Sequence, residues 1–494
     1  MNSNSKKSGI LLHPTALPSK YGIGDLGPEA YKFADKLVAM GQSYWQILPI
    51  GPTDFSNSPY SLLSTFAGNP LLISIDLLIE NKLLFRDELP NFTFSNSNVE
   101  FEKVKSFKNK VFKIVCDNFD SRCNDITKLK FKDFCNKNDY WLNDYSEFWA
   151  YKEESGWFES WNKWDSSNSI SESIKRNAKI LQFIFDCQWK NLKKYCNERR
   201  LKIIGDMPIY VSYESADVWK NKNLFFLSED NSSKYVAGCP PCEYSKTGQL
   251  WGNPIYNWKE HQNTNYDWWI RRFQKLFEMV DVVRLDHFIG FTKYWQVSGK
   301  EKTALNGTWE IGPGSDFFNS IIDNVENFDI IAEDLGPIDE DVLKLRDHFN
   351  FPGMRVVQFD FEDKIEKLKY PSNSILYSGT HDNNTLLGWI KGNTINSKIQ
   401  GKLIKTNLKL NNWDIIEFIL SQNCQLTIFQ IQDLLELDSN ARFNSPGTLS
   451  NNNWTWRLTN NQINSKIVKK MKDLTENSGR IPLNTIKNKF KEAI

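Results

Sequence analysis

Short apolar runs that stop at polar, Gly or Pro residues punctuate the chain at residues 9–12, 45–50, 202–206, 282–286, 329–333, 354–359 and 374–378. Runs of this length without polar alternation predict parallel strands buried on both faces. A weaker candidate for an eighth strand covers residues 441–444, just before Ser445-Pro446-Gly447. Between the runs the period becomes helical. Trp269, Phe273, Leu276, Phe277 and Val280 share one helical face ahead of the run at 282, and Leu181, Ile184, Phe185, Leu192 and Tyr195 do so ahead of the run at 202. Strand and helix in alternation predict an α/β protein with right-handed crossovers. Eight strand candidates in that order favour a closed (β/α)8 TIM barrel over an open sheet.

A barrel leaves residues 51–200 over. They are mostly polar with helical patterning, notably at 101–115 and 140–154, and they are too long for a loop inside a compact domain. The stretch is expected to be a helical subdomain inserted between barrel strands, over the mouth formed by the C-terminal strand ends. Residues 220–265 are expected to form a second, substrate-loop insertion. The Asn- and Ser-rich segments 92–98 and 164–173 read as connections. No internal repeat is visible, and residues 1–494 read as a single catalytic barrel domain carrying these insertions.

Charge narrows the ligand class. Lys plus Arg number 61 and Asp plus Glu 60, a formal net charge of +1, so no broad field exists to attract nucleic acid or anionic lipid. A neutral ligand fits better. Aromatic residues make up 14% of the chain, with 18 Trp, and flat rings with a polar edge suit sugar faces as well as cores. No secretory leader or run of apolar residues long enough to span a bilayer is evident, so a soluble, cytoplasmic protein is expected. The 8 Cys are irregularly spaced, as reduced cytosolic thiols would be. Cys239-Pro240-Pro241-Cys242 has the spacing of a redox pair or half a zinc site, but no second pair completes a metal site, and two loop thiols is the plainer reading.

Three predicted strand ends each deliver a carboxylate: Asp286 in Arg-Leu-Asp-His-Phe, Glu333 in Ala-Glu-Asp-Leu-Gly and Asp382 in Gly-Thr-His-Asp-Asn. In a barrel those ends converge on one mouth. A purely structural role would require each to find a partner such as Arg284, Arg355 or Arg442. Cleavage of a glycosidic bond gives the set a purpose, because a retaining enzyme needs a carboxylate nucleophile and a carboxylic acid about 5 Å apart. Glu333 has the longer reach and suits the acid, while Asp286 beside Arg284 suits the ionised nucleophile. Of only 5 His, His13, His287 and His381 stand at or beside the same ends, where imidazoles can bond to hydroxyls. No GxSxG elbow, GxxxxGK[ST] loop, HExxH helix or GxGxxG fingerprint occurs, and Tyr21-Gly22-Ile23-Gly24 reads as a turn rather than a nucleotide cradle.

The motifs resemble the amylomaltase, or disproportionating-enzyme, family of 4-α-glucanotransferases (glycoside hydrolase family 77) over nearly the whole chain. The matching segments are SGILLHPTALPS from Ser8, YWQILPIGPT from Tyr44, SPYSLLSTFAGNP from Ser58, LNDYSEFWAYK from Leu142, GDMPIYV from Gly205, GQLWGNPIYNW from Gly248, RLDHFIGF from Arg284, AEDLG from Ala332, GTHDNNT from Gly379 and ARFNSPGT from Ala441. The resemblance implies that Asp286 is the nucleophile, Glu333 the general acid and then base, and Asp382 the stabiliser of the oxocarbenium-like transition state. It implies sugar contacts at Ser58, Tyr60, Asp206, Trp251, Arg284, His287 and His381, no metal or organic cofactor, and no separate C-terminal β-domain. Expected partners are maltooligosaccharides, amylose or glycogen-derived α-1,4-glucans, and glucose; the oligomeric state is left open.

Two positions depart from the family pattern. Cys242 stands where an Asp is usual in the loop over the acceptor side, and Phe55 stands where a Tyr is common. Both predict altered sugar preference rather than loss of activity. Transfer and hydrolysis share the covalent intermediate, so α-glucan hydrolysis is the alternative chemistry; a non-catalytic glucan-binding protein is the alternative class.

Overall fold

The computed structural model describes residues 6–165, 170–241, 245–336, 338–363, 369–392, 411–448 and 450–481. Its centre is a closed parallel barrel of eight strands: β1 (Lys7–Leu11), β2 (Tyr44–Gln46), β3 (Lys202–Met207), β6 (Val282–Leu285), β9 (Ile330–Ala332), β10 (Gly353–Val356), β11 (Ser374–Tyr377) and β12 (Leu426–Gln430). β12 pairs with β1 and closes the ring, Leu426 lying opposite Lys7 and Gln430 opposite Leu11. The (β/α)8 architecture is therefore present. Seven strands fall on the predicted runs, some shorter than expected; the run at 354–359 passes after Val356 into the helix Val357–Asp363.

The eighth strand corrects the sequence reading. Residues 441–444 are not a strand; Ser439–Ala441 form one 3-10 turn and the chain after it is irregular. Leu426–Gln430 takes the place instead, fully buried although Thr427 and Gln430 are polar. Thr427 divides the apolar run here, so the segment stands out less than the others.

The barrel helices form as their periodicity requires. Asp267–Met279 buries Trp269 and Phe273 ahead of β6, and Glu172–Glu198 buries Leu181, Ile184, Phe185 and Leu192 ahead of β3. Between β2 and β3 the chain also forms the helices Phe101–Asp117, Asp125–Lys137 and Asp139–Ser155. Gly68, after β2, packs so tightly on the Phe185 ring that an added Cβ would lie 2.0 Å from it. Residues 164–173 lie partly outside the described residues, as does Cys242.

A second, antiparallel sheet stands beside the barrel. It has the order β5-β4-β7-β8, from β4 (Tyr235–Cys239), β5 (Gln249–Pro254), β7 (Lys293–Ser298) and β8 (Gly307–Ile311). β4 and β5 come from the 220–265 segment; the β7–β8 hairpin, between β6 and β9, was not expected. Trp251 lies on β5 and is thereby fixed to the chain that leaves β6 past His287. Among the described residues, no helix is long and apolar enough to cross a membrane.

Candidate active site

Register places the first two carboxylates. Leu285 of β6 lies opposite Ala332 of β9, so the next residues, Asp286 and Glu333, leave neighbouring strands at one level. Adjacent strands are about 4.8 Å apart, so the two backbones start within reach of one sugar linkage. Hydrogen bonds hold that alignment past the strand ends: Glu333 N–H donates to the Leu285 carbonyl at 3.1 Å, and Phe288 N–H to the Glu333 carbonyl at 3.1 Å. Across β3 and β6, Asp206 lies opposite Arg284.

These registers generate an ion-pair chain. Arg284 Nη1 lies 2.9 Å from both oxygens of Asp206 and 2.8 Å from Asp286 Oδ1. The Asp206 side chain is wholly buried and also accepts the Tyr60 hydroxyl at 2.7 Å. Tyr60 stacks on His381, ring centres 5.0 Å apart, with its hydroxyl 3.5 Å from His381 Nδ1. His381 Nε2 is 3.3 Å from Asp382 Oδ1. Contacts therefore run without a break from Asp286 through Arg284, Asp206, Tyr60 and His381 to Asp382.

Glu333 is held differently. Its Oε2 accepts the His287 N–H at 2.7 Å and its Oε1 the Leu335 N–H at 3.0 Å, and among the described residues no cation bonds to it. Burial pushes its carboxyl up to about 8, the negative charge of Asp286 adds to the rise, and Arg284 with the two backbone donors opposes it. His287 adopts φ +52°, a left-handed conformation uncommon for a side-chain-bearing residue, at the point where its N–H bonds to Glu333. Burial pushes the His287 imidazole down to about 4, so it is neutral and can accept as well as donate.

The remaining expected contacts gather around this core. Trp251 is 37% exposed and meets the His287 ring edge-on at 4.8 Å. Ser58 Oγ accepts the Tyr60 N–H at 3.2 Å and so shapes the loop that presents Tyr60. The structure thus brings together Ser58, Tyr60, Asp206, Trp251, Arg284, His287 and His381 with Asp286, Glu333 and Asp382. Of the three arginines considered as structural partners, Arg284 pairs with Asp286, Arg355 turns to Asp334, and Arg442 donates to the Asp382 main-chain carbonyl.

Four further residues belong to the site by contact. Asn444 Nδ2 donates to Asp382 Oδ1 at 2.6 Å, and Trp454 lies 5.9 Å from His381 and 6.2 Å from Tyr60. Tyr210 neighbours Trp251 and His287. His13, at the end of β1, is buried beside His381, its pKa held down to about 3 by desolvation and by that neighbour. His13 was itself named from the sequence, and Asn444 and Tyr210 lie in matched segments, whereas nothing in the pattern around Trp454 marks it. Phe55 stacks on Phe158 at 4.3 Å, and both rings are substantially exposed.

The family model described as 4-alpha-glucanotransferase matches residues 12–463. The 4-alpha-glucanotransferase of Clostridium butyricum is 39% identical over 95% of this chain and 100% of its own length, and that of Synechocystis sp. is 41% identical over 96% and 98%. The amylomaltase from Streptococcus agalactiae, solved in complex with acarbose, superposes with a TM-score of 0.91 at 34% identity, covering 97% of this chain and 100% of that one. The chain belongs to the 4-alpha-glucanotransferase family.

Proposed function

We propose that Asp286, Glu333 and Asp382 carry out a retaining double displacement on an α-1,4-glucan. The ionised Asp286 attacks C1 of the donor sugar from the face opposite the leaving oxygen. The bond from C1 to the O4 of the departing glucan breaks, and the Glu333 proton passes to that O4. A β-linked glucosyl ester on Asp286 results. The 4-hydroxyl of an acceptor then attacks C1 and yields its proton to Glu333, and the ester bond breaks with net retention. Asp382, held by Asn444 and Arg442, faces the positive charge that develops on the sugar ring.

The observation that carries this reading is the unequal treatment of two neighbouring carboxylates. Asp286 is bonded to a buried arginine, while Glu333, among the described residues, is bonded only to backbone N–H groups and is pushed up to about 8. A nucleophile and a protonated acid are what that difference supplies. Tyr60, Asp206, Arg284, His287 and His381 would bond to the hydroxyls of the sugar at the cleavage point, with Ser58 supporting Tyr60, and Trp251 would cover a sugar face. Maltooligosaccharides, amylose or glycogen-derived glucans and glucose are the substrates that this arrangement suits, in the cytoplasm; acarbose, held by the S. agalactiae relative, is a fitting probe.

Incubation with maltotriose tests the reading. Glucose together with oligosaccharides longer than maltotriose is expected, and Asp286→Asn should lower turnover by about 10^4-fold or more. Products confined to shorter sugars would instead indicate hydrolysis, and a fully active Asp286→Asn variant would overturn the assignment.

A further inference from the structure

Behind the loop that carries His381 and Asp382 lies a buried acid that takes no part in the chemistry above. Asp433 sits on the short helix Ile431–Leu434 immediately after β12 and has no exposed surface. Its Oδ2 accepts the Ser378 hydroxyl at 2.6 Å and its Oδ1 accepts the Leu386 N–H at 2.7 Å. Ser378 is the residue directly after β11, and Leu386 is the first residue of the helix Leu386–Lys391. One carboxylate therefore grips both ends of the segment 378–386, at whose middle stand His381 and Asp382.

We infer that Asp433 is a positioning residue for the reaction, fixing the height and tilt of the 378–386 loop so that Asp382 meets the sugar ring; this rests on the reading of Asp382 as transition-state stabiliser.

The surroundings support a positioning role. A buried carboxylate without a cation is costly, and packing alone would favour an apolar side chain here. Burial pushes the Asp433 carboxyl up to about 7, and what draws it down is its two hydrogen bonds, both from this loop. The foundation is itself tethered: Asn412 Nδ2 donates to the Asp433 main-chain carbonyl at 3.0 Å, fixing the short helix to Asn412–Ser421.

Two amides complete the clamp between the grips. Gln358 Nε2 donates to the Ser378 and Asn384 carbonyls at 3.1 and 2.8 Å, and Gln430 Nε2 donates to the Asn384 carbonyl at 3.2 Å. They pass so close to Gly379 that a Cβ there would lie 2.5 Å from Gln430 Nε2 and 2.8 Å from Gln358 Nε2. Asn383 closes the loop from within, its Oδ1 accepting the N–H and hydroxyl of Thr380. The expected sugar contacts at Ser58 and Trp251 lie on other segments, and Tyr60, although it stacks on His381, is also held through its hydroxyl by Asp206. Loss of Asp433 should therefore reach turnover before it reaches donor binding.

The test compares kcat and KM for maltotriose disproportionation in Asp433→Ala, Asp433→Asn, Ser378→Ala and Asp382→Ala, at a temperature where each is folded by circular dichroism. Asp433→Ala should lower kcat by about 30- to 100-fold with KM changed less than about threefold, the loss expected for a misplacement of about 1 Å. Asp433→Asn keeps an acceptor for Leu386 and an amide that can donate to Ser378, so it should restore kcat to within about threefold of the parent. Ser378→Ala removes one grip and should fall between them, which keeps the inference testable if Asp433→Ala does not fold. An inactive Asp382→Ala beside an Asp433→Ala of parental kcat, or an Asp433→Asn as impaired as Asp433→Ala, overturns the role of Asp433 alone. An active Asp382→Ala overturns the reading of Asp382 on which it rests.

Discussion

Replacing Glu333 by Gln tests the division of labour between the carboxylates most directly. With its carboxyl pushed up to about 8, Glu333 is protonated in about nine molecules of ten at about pH 7 and in about one of ten at about pH 9. The kcat/KM for maltotriose should therefore be flat below about pH 7 on this limb and fall about tenfold per unit above about pH 8. Glu333→Gln removes the transferable proton while keeping the acceptor for the Leu335 or His287 N–H, so turnover should fall by about 10^2- to 10^4-fold. A donor whose leaving group needs no proton separates this from general damage. With α-maltosyl fluoride, the variant should release a rapid burst of about one fluoride per enzyme and then slow, because the second step still lacks its base. Fluoride release as impaired as maltotriose turnover would refute proton donation by Glu333. The same substitution bears on stability. Between the ordinary value of 4.5 and about 8 the unfolded chain releases this proton while the folded site retains it, so the group's contribution to stability declines as pH rises through that window. Glu333→Gln should therefore raise the Tm relative to the parent at about pH 8, with no such gain at about pH 4.

Three further outcomes follow from the packing. Arg284→Ala strands the wholly buried Asp206 carboxylate without its cation and should cost about 3 to 5 kcal/mol in urea denaturation near neutral pH, with a smaller loss in acid where Asp206 can take a proton; a loss under about 1 kcal/mol would contradict the ion-pair chain. Trp251→Ala removes an exposed ring beside His287 and should raise the maltotriose KM about tenfold with kcat within about threefold, whereas an equal fall in kcat and kcat/KM would assign Trp251 to the transition state. Gly68→Ala drives a methyl group into the Phe185 ring and should destabilise the fold by about 1 to 3 kcal/mol, read as a lower Tm without change in KM.

The candidate catalytic rim was legible because its residues follow short, largely apolar strands. Val282 to Leu285 and Ile330 to Ala332 are buried throughout, so the polar residue that ends each run announces both the strand and the mouth. β12 was hidden for the opposite reason. Thr427 and Gln430 are as buried as their apolar neighbours, but Thr427 divides the apolar run into pieces too short to stand out, and Gln430 turns its amide to the Asn384 carbonyl. Its partner β1 lies at the other end of the chain, and no local pattern reports a pairing at that separation. Asn444 lay within a recognised motif, but only its hydrogen bond to Asp382 reveals its use, and Trp454 reaches the site from an Asn-rich turn with φ +67°. Side chains that act through a folded loop leave less trace than those placed by a strand.

Arithmetic of charge explains why the proton belongs on Glu333. Asp206, Asp286 and Glu333 surround one guanidinium, so one cation faces three acids in a site that burial has largely stripped of water. Like charges at this separation cannot all persist in such a medium, and a proton must remain on one of the three. Burial pushes Asp206 upward too, but that residue takes both Arg284 contacts at 2.9 Å and the Tyr60 hydroxyl, and Asp286 takes a third contact at 2.8 Å. Glu333 alone has no bond to the guanidinium. Backbone N–H groups steady its oxygens without supplying a full positive charge, so the proton is least costly there. In the proposed mechanism the first displacement then corrects the imbalance: esterification removes the charge of Asp286 as the Glu333 proton departs with the leaving group. The neighbour whose charge added to the effect of burial on Glu333 is thereby neutralised, which favours Glu333 as the carboxylate that receives the acceptor's proton. In the proposed mechanism, acid in one step and base in the next thus follow from burial of Glu333 beside an Asp286 whose charge comes and goes.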